Sequence, residues 1–552
     1  MAQPALKVIP LGGLGEIGKN MMVLEFANDI IVIDAGVMFP EEDTPGVDLI
    51  LPNITYLKEH RDRIRGILIT HGHEDHAGGL PYLLPHLGQV PVYASRLTRG
   101  LISVKLKEHR LQRDSRVVEV PPGREIKLGA FRAEFFRVCH SIPDAMGISI
   151  RTPLGQVIHT GDFKIDHTPV DGQPSDFPKL AELASEGVFL LFSDSTYAEV
   201  PGYTPSEQVV GEALDRVIGE AKGRVMVATF ASLISRIQQV LDAAAHHNRK
   251  VAVVGRSMVG NVSMALEMGY LKDPGVLAQW NEIRRLPPER VVLIATGSQG
   301  EPTSALVRIA NRDHEIRVMP GDTVVISASP IPGNEILISR AIDNLGRQGA
   351  QVLHSRIAMV HVHGHASQEE LKLMLNITRP RYFVPVHGEY RHLAAHAQLA
   401  QSMGVPQEQT FTLEDGDLLT LTREGSHINR RQVNAEHVYV DGSRTYEVSS
   451  GVLKDRQALS HDGVVLAVVA LSKTTGELAR RPEVLCNGVA DEETSRDLAQ
   501  RSAEKLEESL NHLKGIPLNS AHASFKVKEV LGQLFRQETA LHPVILPVIL
   551  EV

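Results

Sequence analysis

The chain has 552 residues, 43% hydrophobic and 22% charged, which at roughly 150 residues per domain allows three or four domains with large cores. Its two cysteines, Cys139 and Cys486, exclude a disulfide framework and suit a reducing cytosol. A net charge of −9 excludes general attraction to nucleic acid, so such a ligand would need a local basic groove. The N-terminal MAQPALKVIP lacks a basic region followed by an apolar stretch, and no run approaches 18 apolar residues, so neither a signal peptide nor a membrane span is expected.

Near the N-terminus, Gly13-x-Gly15-x-x-Gly18 imitates a dinucleotide fingerprint. That fingerprint needs a helix after it. KNMMVLEF alternates like a strand instead, so the glycines are read as a turn between the first two strands. IIVIDAG is an apolar strand ending at Asp34. Ile67, Leu68 and Ile69 form another, followed by His71-Gly-His73-Glu-Asp75-His76, then Ala-Gly-Gly and a helix. By the period of two, His71 and His73 share a face, and Asp75 and His76 turn toward a second centre. A globular core gains little from grouped histidines, whereas a metal needs them; the mixed nitrogen and oxygen set suits zinc or manganese and leaves room for water. The 25 histidines cluster again at His361, His363 and His365. His140 and His387 stand alone in turns, where either would ordinarily be a surface or core residue.

Between Asp162 and His387 lie more than 200 residues. GRVMVATF, KVAVVG, RVVLIAT and DTVVISA are apolar strands separated by helical periods, which predicts a parallel sheet in an inserted α/β domain. The loops ATFASLISR, ATGSQGEP and SPIPGNE offer bare backbone N–H groups and hydroxyls where strand meets helix, as anion sites do, although each alone fits ordinary α/β packing. Arg236, Arg256, Arg308, Arg356, Arg379 and Arg391 are available for a basic lining; taken singly, each reads as a solvated surface charge. After about residue 425 the polar NRRQVNAEHVYVDGSRTYEVSSGVL reads as a linker strand plus loop. HDGVVLAVVALS and the segment up to VLCNG predict a hairpin. Ala503, Leu506, Leu510 and Leu513 predict one helix, and Phe525, Val527, Val530, Leu531 and Leu534 a second. HPVILPVILEV predicts a final apolar strand.

HGHEDH resembles the second signature of the metallo-β-lactamase fold. IIVIDAG resembles the first, whose Asp34 would orient a metal-binding histidine. CHSIPD with His140, VIHTGDFK with Asp162 and PVHGE with His387 resemble the later ones, in order and each at a strand end. The resemblance implies one metal on His71, His73 and His140, another on Asp75, His76 and His387, and Asp162 between them. Two metals about 3.5–4 Å apart acidify a bridging water, which Asp75 would orient or deprotonate.

FSDSTYA, HVHGHAS and PVHGE resemble motifs A, B and C of the β-CASP nucleases. GGLGEIGKNM, ATGSQGEP, PIPGNE and GHASQEEL resemble the bacterial ribonuclease J family over roughly residues 5–450. The implied fold is α/β: a metallo-β-lactamase αββα sandwich with an inserted β-CASP α/β domain and a small C-terminal α+β domain. The implied boundaries are 1–205 and 353–425 for the two parts of the sandwich, 206–352 for the insertion, 426–460 for a linker and 461–552 for an assembly domain. Asp194, which alone could also be read as a helix or turn cap, would sit beside the metals as the catalytic acidic residue of motif A. His365 would protonate the leaving oxygen or hold the scissile phosphate. Phe230, Ala231 and Ser232, with His361, Val362, His363, Gly364 and His365, would hold a terminal phosphate.

The activity so implied is metal-dependent hydrolysis of RNA in maturation and decay, 5′-to-3′ from monophosphate ends and also internal. The implied cofactors are two divalent ions, Zn²⁺ or Mn²⁺ with Mg²⁺ an alternative, and a structural Ca²⁺ near Asp48 and Asp441. The implied partners are single-stranded RNA, further copies in a homodimer or tetramer, and RNA-decay proteins, in the cytoplasm and without a membrane. The rivals are a DNA-processing β-CASP nuclease, a small-molecule metallo-hydrolase, against which the long insertion argues, and a silent RNA-binding subunit, against which the filled ligand positions argue.

Overall fold

The computed structural model describes residues 4–40, 44–331, 333–441, 446–448, 450–511 and 520–552. They divide into two compact units, Met1–Phe39 with Leu49–Val438, and Pro40–Asp48 with Tyr439–Val552. Among the described residues no helix is long and apolar enough to cross a membrane.

In the first unit two sheets lie face to face. The eight-stranded sheet runs, in spatial order, Ser426–Asn429, Leu418–Leu421, Leu6–Gly12, Met21–Phe26, Asp29–Ile33, Ile64–Leu68, Val92–Ala94 and Val117–Glu119. The six-stranded sheet runs Tyr382–Val386, Val188–Asp194, Gly155–His159, Met146–Thr152, Phe131–Arg137 and Glu125–Leu128. Alternate side chains of both meet in one core: Leu24, Ile31 and Leu68 from the first pack with Ile148, Phe192 and Val384 from the second. The other faces are covered by helices, Leu57, Leu80 and Leu83 over the first sheet and Leu180, Leu371 and Met374 over the second. This is the αββα sandwich. The glycine turn lies where expected, with Met21–Phe26 returning antiparallel to Leu6–Gly12 and no helix between them.

The insertion carries a five-stranded parallel sheet, ordered Lys250–Val254, Val291–Ala295, Val225–Ala228, Thr323–Ile326 and Gln351–His354. Four of these strands are the apolar runs read from the sequence. The fifth, Gln351–His354, has no fully buried residue, so it carries no apolar run to betray it. Helices Gln208–Glu220, Ile234–His246 and Arg256–Met268 pack on this sheet. The strand order reverses direction beside Val225–Ala228, a switch point at which α/β sheets open a crevice at their carboxyl ends.

The span 426–460, expected as a linker, is more structured than that. Ser426–Asn429 closes an edge of the large sheet through its pairing with Leu418–Leu421. Val438–Asp441 pairs with Tyr446–Val448, and Ser450–Asp462 is helical. Polar residues on these short elements hide their period.

In the second unit Val464–Leu471 pairs antiparallel with Glu483–Asn487, the expected hairpin, and parallel with the final strand Val544–Glu551. Helices Glu492–Asn511 and Ser520–Thr539 cover one face of this sheet through Leu498, Leu506, Val527 and Leu531. Phe525, expected on the apolar face, is instead 70% exposed, because its place on the helix turns it away from the sheet. Leu513 lies outside the described residues.

Candidate metal centre

The strands Gly155–His159, Val188–Asp194 and Tyr382–Val386 are parallel neighbours, so their carboxyl ends reach the same edge. That edge carries Asp162, Asp194 and His387. Asp29–Ile33 and Ile64–Leu68 are likewise parallel and bring Asp34 beside the 71–76 loop. Asp34 and His387 both take left-handed backbone, with φ of 62° and 56°. The Asp34 carboxylate accepts from Thr70 N–H at 2.8 Å and stands 2.8 Å from His76 Nδ1. Since a carboxylate only accepts, His76 Nδ1 carries the hydrogen and Nε2 is turned into the centre.

Two donor sets result. In the first, His71 Nε2 and His140 Nε2 lie 3.0 and 3.2 Å from His73 Nδ1. Tetrahedral bonds of about 2.0–2.1 Å put donors about 3.3 Å apart, so the triangle has the size that zinc-like ions need. His140 Nδ1 donates to the Gly364 carbonyl at 2.7 Å, which leaves its Nε2 free to ligate. In the second set, Asp75, His76, Asp162 and His387 converge. Asp162 Oδ2 is 3.1 Å from His76 Nε2 and 3.7 Å from His71 Nε2, and its Oδ1 is 2.8 Å from His387 Nδ1, so one carboxylate reaches both sets. His387 Nε2 is buried without a hydrogen-bond partner, a nitrogen awaiting a ligand.

Electrostatics agree with metal occupancy. Burial pushes His71 and His140 well below the usual histidine pKa and His73 down to about 4, which leaves neutral imidazoles. Burial acts against charge on His76, but Asp162, Asp75 and Asp34 hold its pKa well above the usual value. Burial also works against the Asp162 carboxylate, yet His387 and His76 keep it well below the carboxylate range. A buried group of carboxylates that holds protons on its histidines is one where a divalent cation can take the protons' place. The residues present therefore fit two divalent ions.

Beside this set, Asp194 Oδ2 meets His365 Nδ1 at 2.8 Å, and His365 Nδ1 is 3.9 Å from Asp162 Oδ2. Burial lowers the His365 pKa, but the Asp194 carboxylate outweighs it and holds the imidazolium to about 9.

Three supporting residues escaped the sequence reading. Asn20, just after the glycine turn, donates from its backbone to Asp75 O at 2.9 Å and from its side chain to the same oxygen at 3.1 Å. Thr70 links Asp34 to His71, its hydroxyl 2.9 Å from Asp34 Oδ2 and 3.1 Å from His71 Nδ1. Tyr197 stacks on His363 with centroids 3.6 Å apart. Asn20 and Tyr197 stand inside segments already singled out, GEIGKN and FSDSTYA, which was the only signal available.

Phe230, Ala231 and Ser232 are half-buried after Val225–Ala228, and Asn261 Nδ2 donates to Ala231 O at 3.1 Å. Val362 and Gly364 are buried, and His361 Nδ1 is buried without a partner. Arg236 corrects its expected place on the surface: it is 1% exposed, with Nη1 3.1 Å from Val360 O and Nη2 ion-paired to Glu207. A cation on the apolar side of a helix was invisible to periodicity because its partners lie on other segments. Arg256, Arg308, Arg356, Arg379 and Arg391 are exposed. Asp48 N–H donates to Val440 O, and the Asp441 carboxylate is ion-paired with Arg456. Among the described residues these two aspartates join no group of three ligating side chains.

One substitution separates geometry from ligand identity. A Cβ at Gly364 would lie 2.6 Å from His140 Cε1 and 2.9 Å from Ser141 Cβ. Gly364→Ala is expected to displace His140 and lower RNA hydrolysis by about 10–100-fold, the cost of losing a ligand's outer support. Metal content and turnover measured on the same sample check this.

Comparison with known proteins follows the same layout. Family models match in four segments: Metallo-beta-lactamase superfamily over 14–187, Ribonuclease J, beta-CASP domain over 222–345, Zn-dependent metallo-hydrolase RNA specificity domain over 351–411, and Ribonuclease J C-terminal domain over 451–552. Ribonuclease J 1 of Streptococcus pyogenes is 42% identical over 98% of this chain and 97% of its own. Ribonuclease J of Thermus thermophilus is 45% identical over 100% of this chain and 96% of its own. The chain belongs to the ribonuclease J family. Ribonuclease J2 of Bacillus subtilis, 39% identical over 99% of both chains, extends the agreement. A solved protein of unknown function from Enterococcus faecalis, at 16% identity and a TM-score of 0.53 over 76% of this chain and 100% of its own, shares the fold. As a ribonuclease J family member with these metallo-hydrolase domains, the chain is a metal-dependent ribonuclease that binds RNA and uses divalent metal.

Proposed function

We propose that this ribonuclease removes nucleotides 5′-to-3′ from RNA ends that carry a monophosphate, and also cuts internally, in RNA maturation and decay. The hydrogen-bonded Asp194–His365 pair beside Asp162 carries this reading. His71, His73 and His140 would hold one ion and Asp75, His76 and His387 the other, with Asp162 between. Zn²⁺ and Mn²⁺ suit this donor set, and Mg²⁺ fits the imidazoles less well. When bound, two such ions supply an acidified water and stabilise charge on the attacked phosphodiester. Asp75, half-buried, would orient an attacking water and accept its proton. His365, held protonated at neutral pH by Asp194, gives a proton to the leaving oxygen or grips the scissile phosphate.

A phosphate pocket at Phe230, Ala231 and Ser232 and the loop His361, Val362, His363, Gly364 and His365 has two supports. The first segment opens at the switch point of the inserted sheet. Ser327, which follows the neighbouring strand, donates to Val360 O at 2.6 Å and so ties that strand's end to the second loop. Seating the terminal phosphate there would position the first phosphodiester over the centre, and a triphosphate would fit poorly. The checking experiment compares matched single-stranded RNAs with 5′-monophosphate, triphosphate and hydroxyl ends, in the wild type and Ser232→Ala. The monophosphate substrate should be consumed fastest, by about tenfold or more, and the variant should narrow the gap by about 1.5 kcal/mol, the lower end of what a hydrogen bond to a charged group contributes. Equal rates on all three ends would remove the pocket.

Homodimers or tetramers are in keeping with the second unit's sheet, whose face turned away from helices Glu492–Asn511 and Ser520–Thr539 exposes Leu485, Leu546, Val548 and Leu550. RNA-decay partner proteins and a cytoplasmic setting complete the proposal; both cysteines are unpaired thiols. A calcium ion at Asp48 and Asp441 finds no support, because Arg456 already compensates Asp441.

A further inference from the structure

We propose that Asp215, His246 and His247 form a third metal site, for a borderline divalent ion such as Zn²⁺, Ni²⁺ or Co²⁺, on the surface of the inserted domain. None of the three belongs to the catalytic donor sets, and their ligating atoms all lie within 4.8 Å of one another. Asp215 sits on helix Gln208–Glu220; His246 ends helix Ile234–His246 and His247 caps it. Asp215 Oδ1 is 2.9 Å from His246 Nδ1 and 3.2 Å from His247 Nε2. Both spacings approach the roughly 3.3 Å between donors on a tetrahedral ion.

Two observations go beyond an ion pair at a helix end. First, His247 Nε2 is buried and has no directed hydrogen-bond partner, despite its approach to Asp215. Buried polar nitrogens are rarely left so, and ligation would satisfy this one. Second, Gly219, one turn along from Asp215, makes room for the ring: a Cβ there would lie 2.6 Å from His247 Cε1 and 2.9 Å from Nε2. The bare backbone lets the imidazole settle on the helix and point at the carboxylate. Adjacent residues on a helix normally diverge, yet these two rings stand 4.5 Å apart. His246 is 70% exposed, so water can complete the coordination shell. Two imidazoles and one carboxylate select zinc-like ions over Mg²⁺ and Ca²⁺, which prefer oxygen. A bound ion would tie the two helices together.

The test loads full-length protein with Zn²⁺ alone, removes free ion by gel filtration and counts bound ions per chain, in the wild type, Asp215→Asn and His246→Gln/His247→Gln. The site predicts one ion fewer in each variant, with RNA hydrolysis unchanged. Should the double variant fold poorly, His246→Gln alone, at the exposed position, is expected to weaken the extra ion by about tenfold or more in a Zn²⁺ titration. Equal ion counts and titrations in wild type and variants, which is the result for a simple ion pair, would overturn the proposal.

Discussion

His73→Ala is expected to lower RNA hydrolysis by more than about 100-fold while the protein stays folded. Residues that merely orient a metal ligand cost 10–100-fold when changed, so a ligand should cost more. His73 stands at the apex of its triangle, within 3.2 Å of both His71 and His140, and its removal leaves that set with two donors. It is only half-buried on a loop, so the loss falls on chemistry rather than on the core. Asp34→Asn, which alters the group behind His76 without replacing a ligand, should fall inside the roughly 10–100-fold range. Turnover and metal content of both variants, with circular dichroism as the folding control, check the order.

Arg236→Ala is expected to cost about 3–5 kcal/mol of stability, the typical result of leaving one buried charge without its partner. Arg236 joins Glu207, Ser327 and Val360 O inside the first unit, and Glu207 is itself buried, with Oε1 already lacking a hydrogen-bond partner. Arg236→Met combined with Glu207→Gln should be less destabilised than the sum of the single changes, because neither member of the pair is left as a lone charge and the buried Lys164 beside Glu207 keeps Asp166 at 3.5 Å. Midpoints of urea denaturation for the three variants test this. Additive losses would mean that the pair is not coupled.

These two sites differ in how far they could be read in advance. The run His71 to His76 was legible because four ligating side chains crowd one strand end, a pattern that packing alone does not call for. Asp162, Asp194, His140 and His387 carry no such signal singly. They became readable only through their segments' resemblance, in order, to the signatures of the metallo-β-lactamase and β-CASP families, and parallel strands bring their carboxyl ends to one edge. The inserted sheet was legible where its strands carry buried apolar runs, and not at Gln351–His354, which is nowhere fully buried. Arg236, Asn20 and Tyr197 were illegible for a common reason: each acts through a partner on a distant segment, which neither period nor composition reports. Phe525 erred the other way, since an apolar residue among apolar neighbours need not face the core.

The most direct test strips the purified protein of metal and follows end-labelled single-stranded RNA before and after Zn²⁺ or Mn²⁺ is restored, with His73→Ala alongside. A two-ion centre predicts no cleavage in the stripped protein, recovery with metal in the wild type and none in the variant. Cleavage that persists without metal, or that His73→Ala performs at the wild-type rate, would contradict it.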